Sequence, residues 1–262
     1  MGFQMVSSHH SARSAHSASS QDSPARIRFA LGVRPDLDRL REDFARDGFV
    51  SVPDILAPDC ALQLFKLLRQ RTDWVQVINS GERLFELDRA TRAELSAQQR
   101  AELDEAVFAG ARKGFQFRYE TIRVPDDARA RSASPDPLAD FAHWWSGGAA
   151  RKLLRDISGL GAIRFADAQA TAYSPGDFLT EHDDAVDGKG RLAAYVLNLT
   201  PQWRLEWGGL LVFHPEGEHQ ARALVPGFNR LNLFRVPRAH SVSEVTRAAA
   251  YRRYAVTGWL RR

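Results

Sequence analysis

Between Ala162 and Leu260 the chain is cut into short alternating runs by turn residues. The runs are Ile163 to Tyr173, Phe178 to Asp184, Arg191 to Leu199, Gly209 to Phe213, Leu231 to Val236 and Tyr251 to Leu260. Ser174-Pro175-Gly176-Asp177, Asp187-Gly188-Lys189-Gly190 and Pro215-Glu216-Gly217 stand between them. Closely spaced strands with such punctuation predict a β-sandwich or barrel rather than a parallel sheet with crossover helices. From Pro35 to Ser158 the pattern is mainly helical. The coherent reading is a mainly β, α+β fold: a double-stranded β-helix, or jelly roll, with an N-terminal helical region.

The preamble reads in pieces. Leu37, Leu40, Phe44 and Ala45 recur at helical spacing, and Gly48 stands where a glycine ends a helix. Val50-Ser51-Val52-Pro53 reads as a short strand. Asp59 is placed to cap the next helix, whose apolar face is Ala61, Leu64, Phe65 and Leu68. Asp73 to Asn79 and Gly114 to Val124 look extended. Thr91 to Ala109 reads as one charged, exposed helix, residues 125–137 as a loop, and Leu138 to Leu154 as a further helical stretch. Trp144 and Trp145 are expected to pack there, beside an ordinary helix histidine, His143. Residues 27–262 are expected to form one domain, with 27–160 as helical support and 161–262 as the roll that carries the chemistry. Residues 1–26, rich in Ser, His and Ala, read as a disordered tail; His9, His10 and His16 are part of that filler.

Composition excludes several classes. Of the 262 residues, 44% are hydrophobic and 26% charged, which allows a substantial core. Cys60 is the single cysteine, so there is no internal disulfide framework, and a reducing, cytoplasmic compartment is expected. The formal charge is +4, from 36 Lys+Arg against 32 Asp+Glu, and no dense basic block marks a nucleic-acid stripe. No apolar run approaches the ~20 residues of a membrane helix. The tail lacks the apolar core of a secretory signal.

Within the roll, Thr180-Glu181-His182-Asp183-Asp184 places a histidine and a carboxylate two residues apart. On a strand, side chains at i and i+2 share a face. His182 and Asp184 are therefore expected to point one way and Asp183 the other. Such a pair supplies two members of a 2-His-1-carboxylate triad, the donor set of non-haem iron centres. Three later histidines compete for the third place. His214 and His219 belong to the Pro-Glu-Gly loop, where an imidazole faces solvent. His240 follows the strong strand Leu231-Asn232-Leu233-Phe234-Arg235-Val236 and sits against an apolar wall, where an unpaired histidine is costly. His240 is preferred on pattern.

The final strand offers a second feature. Arg253, Ala255, Thr257 and Trp259 share one face, while Arg252, Tyr254, Val256 and Gly258 share the other. The first face suits an anion: a guanidinium that grips a carboxylate bidentately, a small residue, a hydroxyl and an aromatic wall. Periodicity leaves this reading level with a pair of surface arginines.

Residues 170–260 resemble the catalytic roll of the Fe(II)/2-oxoglutarate-dependent dioxygenases. They are most similar to the prolyl-hydroxylase branch and closest to the ribosomal prolyl-hydroxylase group in a single-roll form. The segments that carry the resemblance are Ala172-Tyr173-Ser174-Pro175-Gly176-Asp177, His182-Asp183-Asp184 and Tyr195-Val196-Leu197-Asn198-Leu199. Glu206-Trp207-Gly208-Gly209-Leu210, His240-Ser241-Val242-Ser243-Glu244-Val245 and Arg253-Tyr254-Ala255-Val256-Thr257-Gly258-Trp259 follow in the same order.

The resemblance implies iron ligands at His182, Asp184 and His240. It implies that Arg253 binds the distal carboxylate of 2-oxoglutarate, assisted by Thr257. Tyr173 is expected to line the pocket near the metal-bound end. Asn198 replaces a tyrosine that contacts the cosubstrate in many relatives. Trp207-Gly208-Gly209 is expected to form a tight turn beside the site. The implied cofactors are Fe(II), 2-oxoglutarate and O2, with ascorbate as a candidate reductant. The implied reaction is hydroxylation of a prolyl residue in a protein or peptide, releasing succinate and CO2; a carboxylate at position 184 speaks against halogenation.

The alternatives are a free amino acid or small metabolite as substrate, a non-catalytic cupin-like binder of a small carboxylate, and a Zn(II) hydrolase with the same ligands. On the run Gly114 to Glu120, Gln116, Arg118 and Glu120 share one face, and Phe115, Phe117 and Tyr119 share the other. It reads as an amphipathic strand that covers the roll.

Overall fold

A computed structural model describes residues 27–214 and 220–262. The Ser/His-rich tail, His219 and the Pro215-Glu216-Gly217 turn lie outside the described residues. The elements in chain order are α1 (Leu37–Asp47), β1 (Phe49–Val52), α2 (Pro58–Gln70), β2 (Val75–Ser80), β3 (Arg83–Asp88), α3 (Arg89–Glu94), α4 (Ala97–Ala111) and β4 (Phe117–Arg123). Next come α5 (Ala128–Ala133), α6 (Pro137–Trp145), α7 (Gly148–Ser158), β5 (Phe165–Ala166), β6 (Gln169–Tyr173) and β7 (Phe178–His182). The rest are β8 (Arg191–Asn198), β9 (Leu211–Phe213), β10 (Arg222–Leu224), β11 (Arg230–Arg235), β12 (His240–Val242) and β13 (Arg253–Arg261).

The strands form one curled antiparallel sheet in the order β1-β11-β8-β13-β6-β4-β7-β12-β9-β10, as in a jelly roll. β4 pairs with β6 through Glu120↔Ala172 and with β7 through Phe117↔Leu179. It thereby hinges the broad wall, β1 to β6, onto the smaller wall, β7 to β10. The support region is thus not purely helical. β1 extends the broad wall beside β11, and β2, β3 and β4 add a three-stranded flap.

Alternation decides which side of the broad wall each residue serves. Ala170 and Ala172 of β6, Leu197 of β8, Leu231 and Leu233 of β11 and Tyr254 and Val256 of β13 point outward. They meet Leu40 and Phe44 of α1, Leu64 and Leu68 of α2, Phe141 and Trp145 of α6 and Leu154 and Ile157 of α7. This is the main core. The opposite faces of the same strands turn inward.

Local chemistry explains the differences from the sequence expectations. Gly48 does end α1, at φ 69°, donating its N–H to the Phe44 carbonyl. Asp59 does not cap α2; Pro58 takes the first helical position, which shifts the start two residues earlier and leaves Asp59 in the first turn. The stretch Thr91 to Ala109 is two helices, because Ser96 and Gln99 form a reciprocal capping box that starts α4 afresh. Within residues 125–137, Asp127 accepts a bond from the Ala130 N–H and starts α5. Leu138 to Leu154 breaks at Ser146-Gly147. Trp145 is fully buried and Trp144 packs beside it, while His143 is exposed. Among the described residues no helix is long and apolar enough to cross a membrane.

Gly208 closes a tight turn ahead of β9, at φ 68°, with its backbone bridged to Val245. A Cβ there would lie 2.0 Å from the Glu244 carbonyl oxygen. Gly208→Ala should therefore lower the unfolding free energy by about 2 kcal/mol or more, through backbone strain and the clash together. Urea denaturation of the two proteins checks this. An unchanged midpoint would mean that the turn is not tightly held.

Candidate metal and anion site

The inward faces of β4, β6, β7, β8, β9, β11, β12 and β13 enclose a cavity of about 410 Å3. His182 ends β7 and His240 begins β12, and the two are register partners across the antiparallel pair. Cross-strand partners share a face, so the imidazoles come together, with ring centroids 4.1 Å apart. Asp184 joins them: its Oδ1 is 3.5 Å from His182 Nε2 and its Oδ2 3.4 Å from His240 Nε2. One donor atom from each of the three lies within 4.8 Å of the others.

Asp184 does not reach this place by strand alternation. β7 stops at His182, and Asp184 sits in a left-handed conformation at φ 66°. Non-glycine residues adopt that region at a cost of about 1–3 kcal/mol and need support from around them. Asp183 Oδ1 accepts a bond from the Ala185 N–H at 2.9 Å, and Arg191 Nη1 donates to the Asp184 carbonyl at 2.9 Å. The strand alternation expected from the sequence is not what places Asp184 beside the histidines: it is turned inward by a bend, and Asp183, exposed, holds that bend.

Both imidazoles are anchored from behind. His182 Nδ1 lies 3.0 Å from the Thr180 carbonyl oxygen and His240 Nδ1 2.7 Å from that of Arg238. A carbonyl only accepts, so Nδ1 carries the proton in each ring and Nε2 keeps a lone pair facing Asp184. Burial, with His182 adding to it, pushes the His240 pKa down to about 4, which keeps that ring neutral. Burial raises the Asp184 carboxyl, but a side-chain hydrogen bond from His182 and the charge of the histidines when protonated outweigh this and hold it below its ordinary value. Two imidazoles and one carboxylate on a common side form the 2-His-1-carboxylate donor set, which fits Fe(II).

His214 stands apart from this cluster. His214 is bound on the outside of the smaller wall, with Nε2 2.7 Å from Ser241 Oγ and Nδ1 3.1 Å from Glu181 Oε2. It is half-buried rather than free in solvent. His219 lies outside the described residues.

On β13, Arg253 and Thr257 line the cavity with Trp259, as the face assignment predicted. Arg253 is only 2% exposed, and burial lowers its pKa. Among the described residues its guanidinium makes one long hydrogen bond, Nη2 to Asn198 Oδ1 at 3.4 Å, while Nε has no partner and no carboxylate faces it. A buried guanidinium without a carboxylate is an unfinished ion pair. The Tyr173 ring lies 5.1 Å below its cation and stacks on Tyr119. Asn198 is buried and reaches the site through Arg253; it is not one of the cavity-lining residues. Gly209 makes the turn expected beside the site, with Arg253 Cδ 3.2 Å from where its Cβ would stand.

Sequence reasoning passed over Arg191, Gln169 and Thr171. Arg191 lies 3.5 Å over the Trp259 ring and lines the cavity with it. Gln169 and Thr171 share a face with Tyr173 at period two, a signal present in the run Ile163 to Tyr173. The Phe115, Phe117 and Tyr119 face turns out to wall the cavity rather than cover the roll from outside. Gln116, Arg118 and Glu120 point the other way into buried polar contacts. Gln116 bonds Asn79, Arg118 pairs with Asp104 and Asp177, and Glu120 pairs with Arg89, Arg92 and Arg252.

Residues 168–261 match the sequence model of the 2OG-Fe(II) oxygenase superfamily. The mouse protein prolyl 3-hydroxylase OGFOD1 is 32% identical over 116 residues, which is 42% of this chain and 21% of that protein. The chain thus spans about a fifth of that relative's length. A prolyl-4-hydroxylase of Pseudomonas putida superposes at TM-score 0.53 and 19% identity, over 86% of this chain and 98% of that one. A prolyl hydroxylase of Trichoplax adhaerens, solved with a hypoxia inducible factor peptide fragment, gives TM-score 0.51 and 17% identity, over 86% and 88%. At such identities the superpositions establish a shared fold. The family match falls on the stretch that carries the three-donor cluster and Arg253.

A divalent ion that binds the native site and not the unfolded chain should raise Tm, by the equivalent of about 2.7 kcal/mol at a hundredfold excess over Kd. Asp183→Asn keeps an acceptor oxygen for Ala185 and should retain that rise. Asp184→Asn should lose most of it. Differential scanning calorimetry with and without metal checks the pair; the reverse order would show that Asp183 is the ligand.

Proposed function

We propose that this chain is an Fe(II)- and 2-oxoglutarate-dependent hydroxylase acting on prolyl residues of a protein or peptide. The observation that carries the reading is the pairing of two sites in one cavity. A three-donor cluster with both Nδ1 atoms tied to carbonyls lies in the same cavity as a buried arginine that faces no carboxylate among the described residues. In this reading His182, His240 and Asp184 hold the iron, and Arg253 grips the far carboxylate of 2-oxoglutarate with Thr257 beside it. When bound, the iron with 2-oxoglutarate and O2 supplies the chemistry that replaces a C–H hydrogen by hydroxyl and leaves succinate and CO2.

The chain's own residues do the positioning. The Nδ1–H anchors hold both imidazoles in the donor tautomer, and Arg191 and Asp183 keep the Asp184 turn from relaxing. Phe117, Tyr119, Leu211, Val242 and Trp259 wall the space and exclude water. Phe115 and Val186 are half exposed at its mouth, where an extended substrate would enter. An open, largely apolar mouth suits a proline ring carried on a chain, and the named relatives are prolyl hydroxylases. The free, buried Cys60 suits a reducing compartment such as the cytoplasm.

Anaerobic addition of Fe(II) and 2-oxoglutarate should give the weak visible band of the chelate in wild type and none in His182→Ala. Under air, proline-containing peptides should gain one oxygen by mass spectrometry, with succinate formed in equal amount. A band without succinate for any substrate would point to a binding protein. Turnover of free amino acids alone would move the substrate to small molecules.

A further inference from the structure

Among the described residues, three buried polar atoms of the cavity wall lack a hydrogen-bond partner: Arg253 Nε, Thr171 Oγ1 and Trp259 Nε1. Thr171 is 2% exposed and lines the cavity from β6. The registers place it closely. Asn198 of β8, Ala255 of β13 and Thr171 of β6 are successive cross-strand partners, a row over three strands with all side chains on one face. Arg253 is one step along β13 on that face, paired with Tyr173. Ala255, at the centre of the row, has only a methyl group. The space above it is therefore flanked by the Arg253 guanidinium on one side and the Thr171 hydroxyl on the other.

An unpartnered buried hydroxyl costs about 1–3 kcal/mol relative to a satisfied one. Strand residues at this position are readily apolar, as the neighbouring Ala170 and Ala172 are on the outer face. A buried threonine hydroxyl without a partner, beside an arginine that faces no carboxylate among the described residues, marks a place where a ligand with several acceptor oxygens completes both. We propose that Thr171 is a ligand-positioning residue of this site. Its hydroxyl donates to the carboxylate that Arg253 holds, making a two-sided cradle across Ala255. The inference rests on the reading of the cavity as a 2-oxoglutarate site and adds a residue to it. It also fixes a length: a dicarboxylate must reach from the His182–Asp184–His240 cluster to the floor over Ala255.

The test is Thr171→Val, which keeps shape and removes the hydroxyl, alongside Thr171→Ser. Anaerobic titration of the Fe(II)-loaded proteins with 2-oxoglutarate reads affinity without turnover. Thr171→Val should bind about tenfold more weakly, the worth of one charge-assisted hydrogen bond, and Thr171→Ser should recover most of the loss. The metal-induced rise in Tm should be the same in all three. The ligand-free Tm of Thr171→Val should equal or exceed that of wild type, because an unsatisfied hydroxyl has been replaced by a methyl group. A merely structural role predicts the opposite, a lowered ligand-free Tm with affinity lost only through unfolding. Equal affinity in wild type and Thr171→Val overturns the proposal and leaves the cosubstrate reading intact. Failure of wild type to bind 2-oxoglutarate at all overturns both.

Discussion

The antiparallel pairing of β12 with β7 sets His240 opposite His182, and the centre depends on that register. A slip of one residue would turn one imidazole to the outside of the smaller wall, because strand side chains alternate. Each ring's Nδ1–H is then held by a carbonyl two residues earlier in its own segment, Thr180 for His182 and Arg238 for His240. The pairing sets position and the carbonyls set orientation and tautomer. The remaining donor, Asp184, needs a backbone bend that is unfavourable on its own, and the side chains of Asp183 and Arg191 hold it.

The second constraint is electrostatic. A largely apolar cavity carries an arginine that, among the described residues, has no carboxylate of its own. Two buried carboxylates have counterions on the other side of β4: Glu120 is surrounded by Arg89, Arg92 and Arg252, and Asp177 faces Arg118. The aromatic side of the same strand faces the cavity. One strand thus separates buried carboxylates that have counterions from a buried guanidinium that has none among the described residues.

Much of the fold was legible in the sequence because strand alternation and glycine punctuation are local signals. The jelly roll, the Gly48 helix end and the inward face of β13 all follow from residues a few positions apart. Helix boundaries were less legible. The Ser96–Gln99 capping box and the Pro58 start are short-range rules that compete with the longer apolar periodicity, and the periodicity alone merged or shifted the helices. Pairing of β4 with both β6 and β7 joins segments about fifty residues apart, and no local pattern specifies it.

The sequence by itself determined the chemistry that the chain can offer: two histidines, a carboxylate and an arginine at strand-like spacing, with glycines where the backbone must turn. Tertiary structure alone decided two things. It turned Asp184 inward through a left-handed bend rather than a strand. It set Thr171 across Ala255 from Asn198. The reason is common to both. Alternation states which face a residue belongs to within its own strand, but register between strands, and the bends that end them, are fixed only when the whole sheet closes.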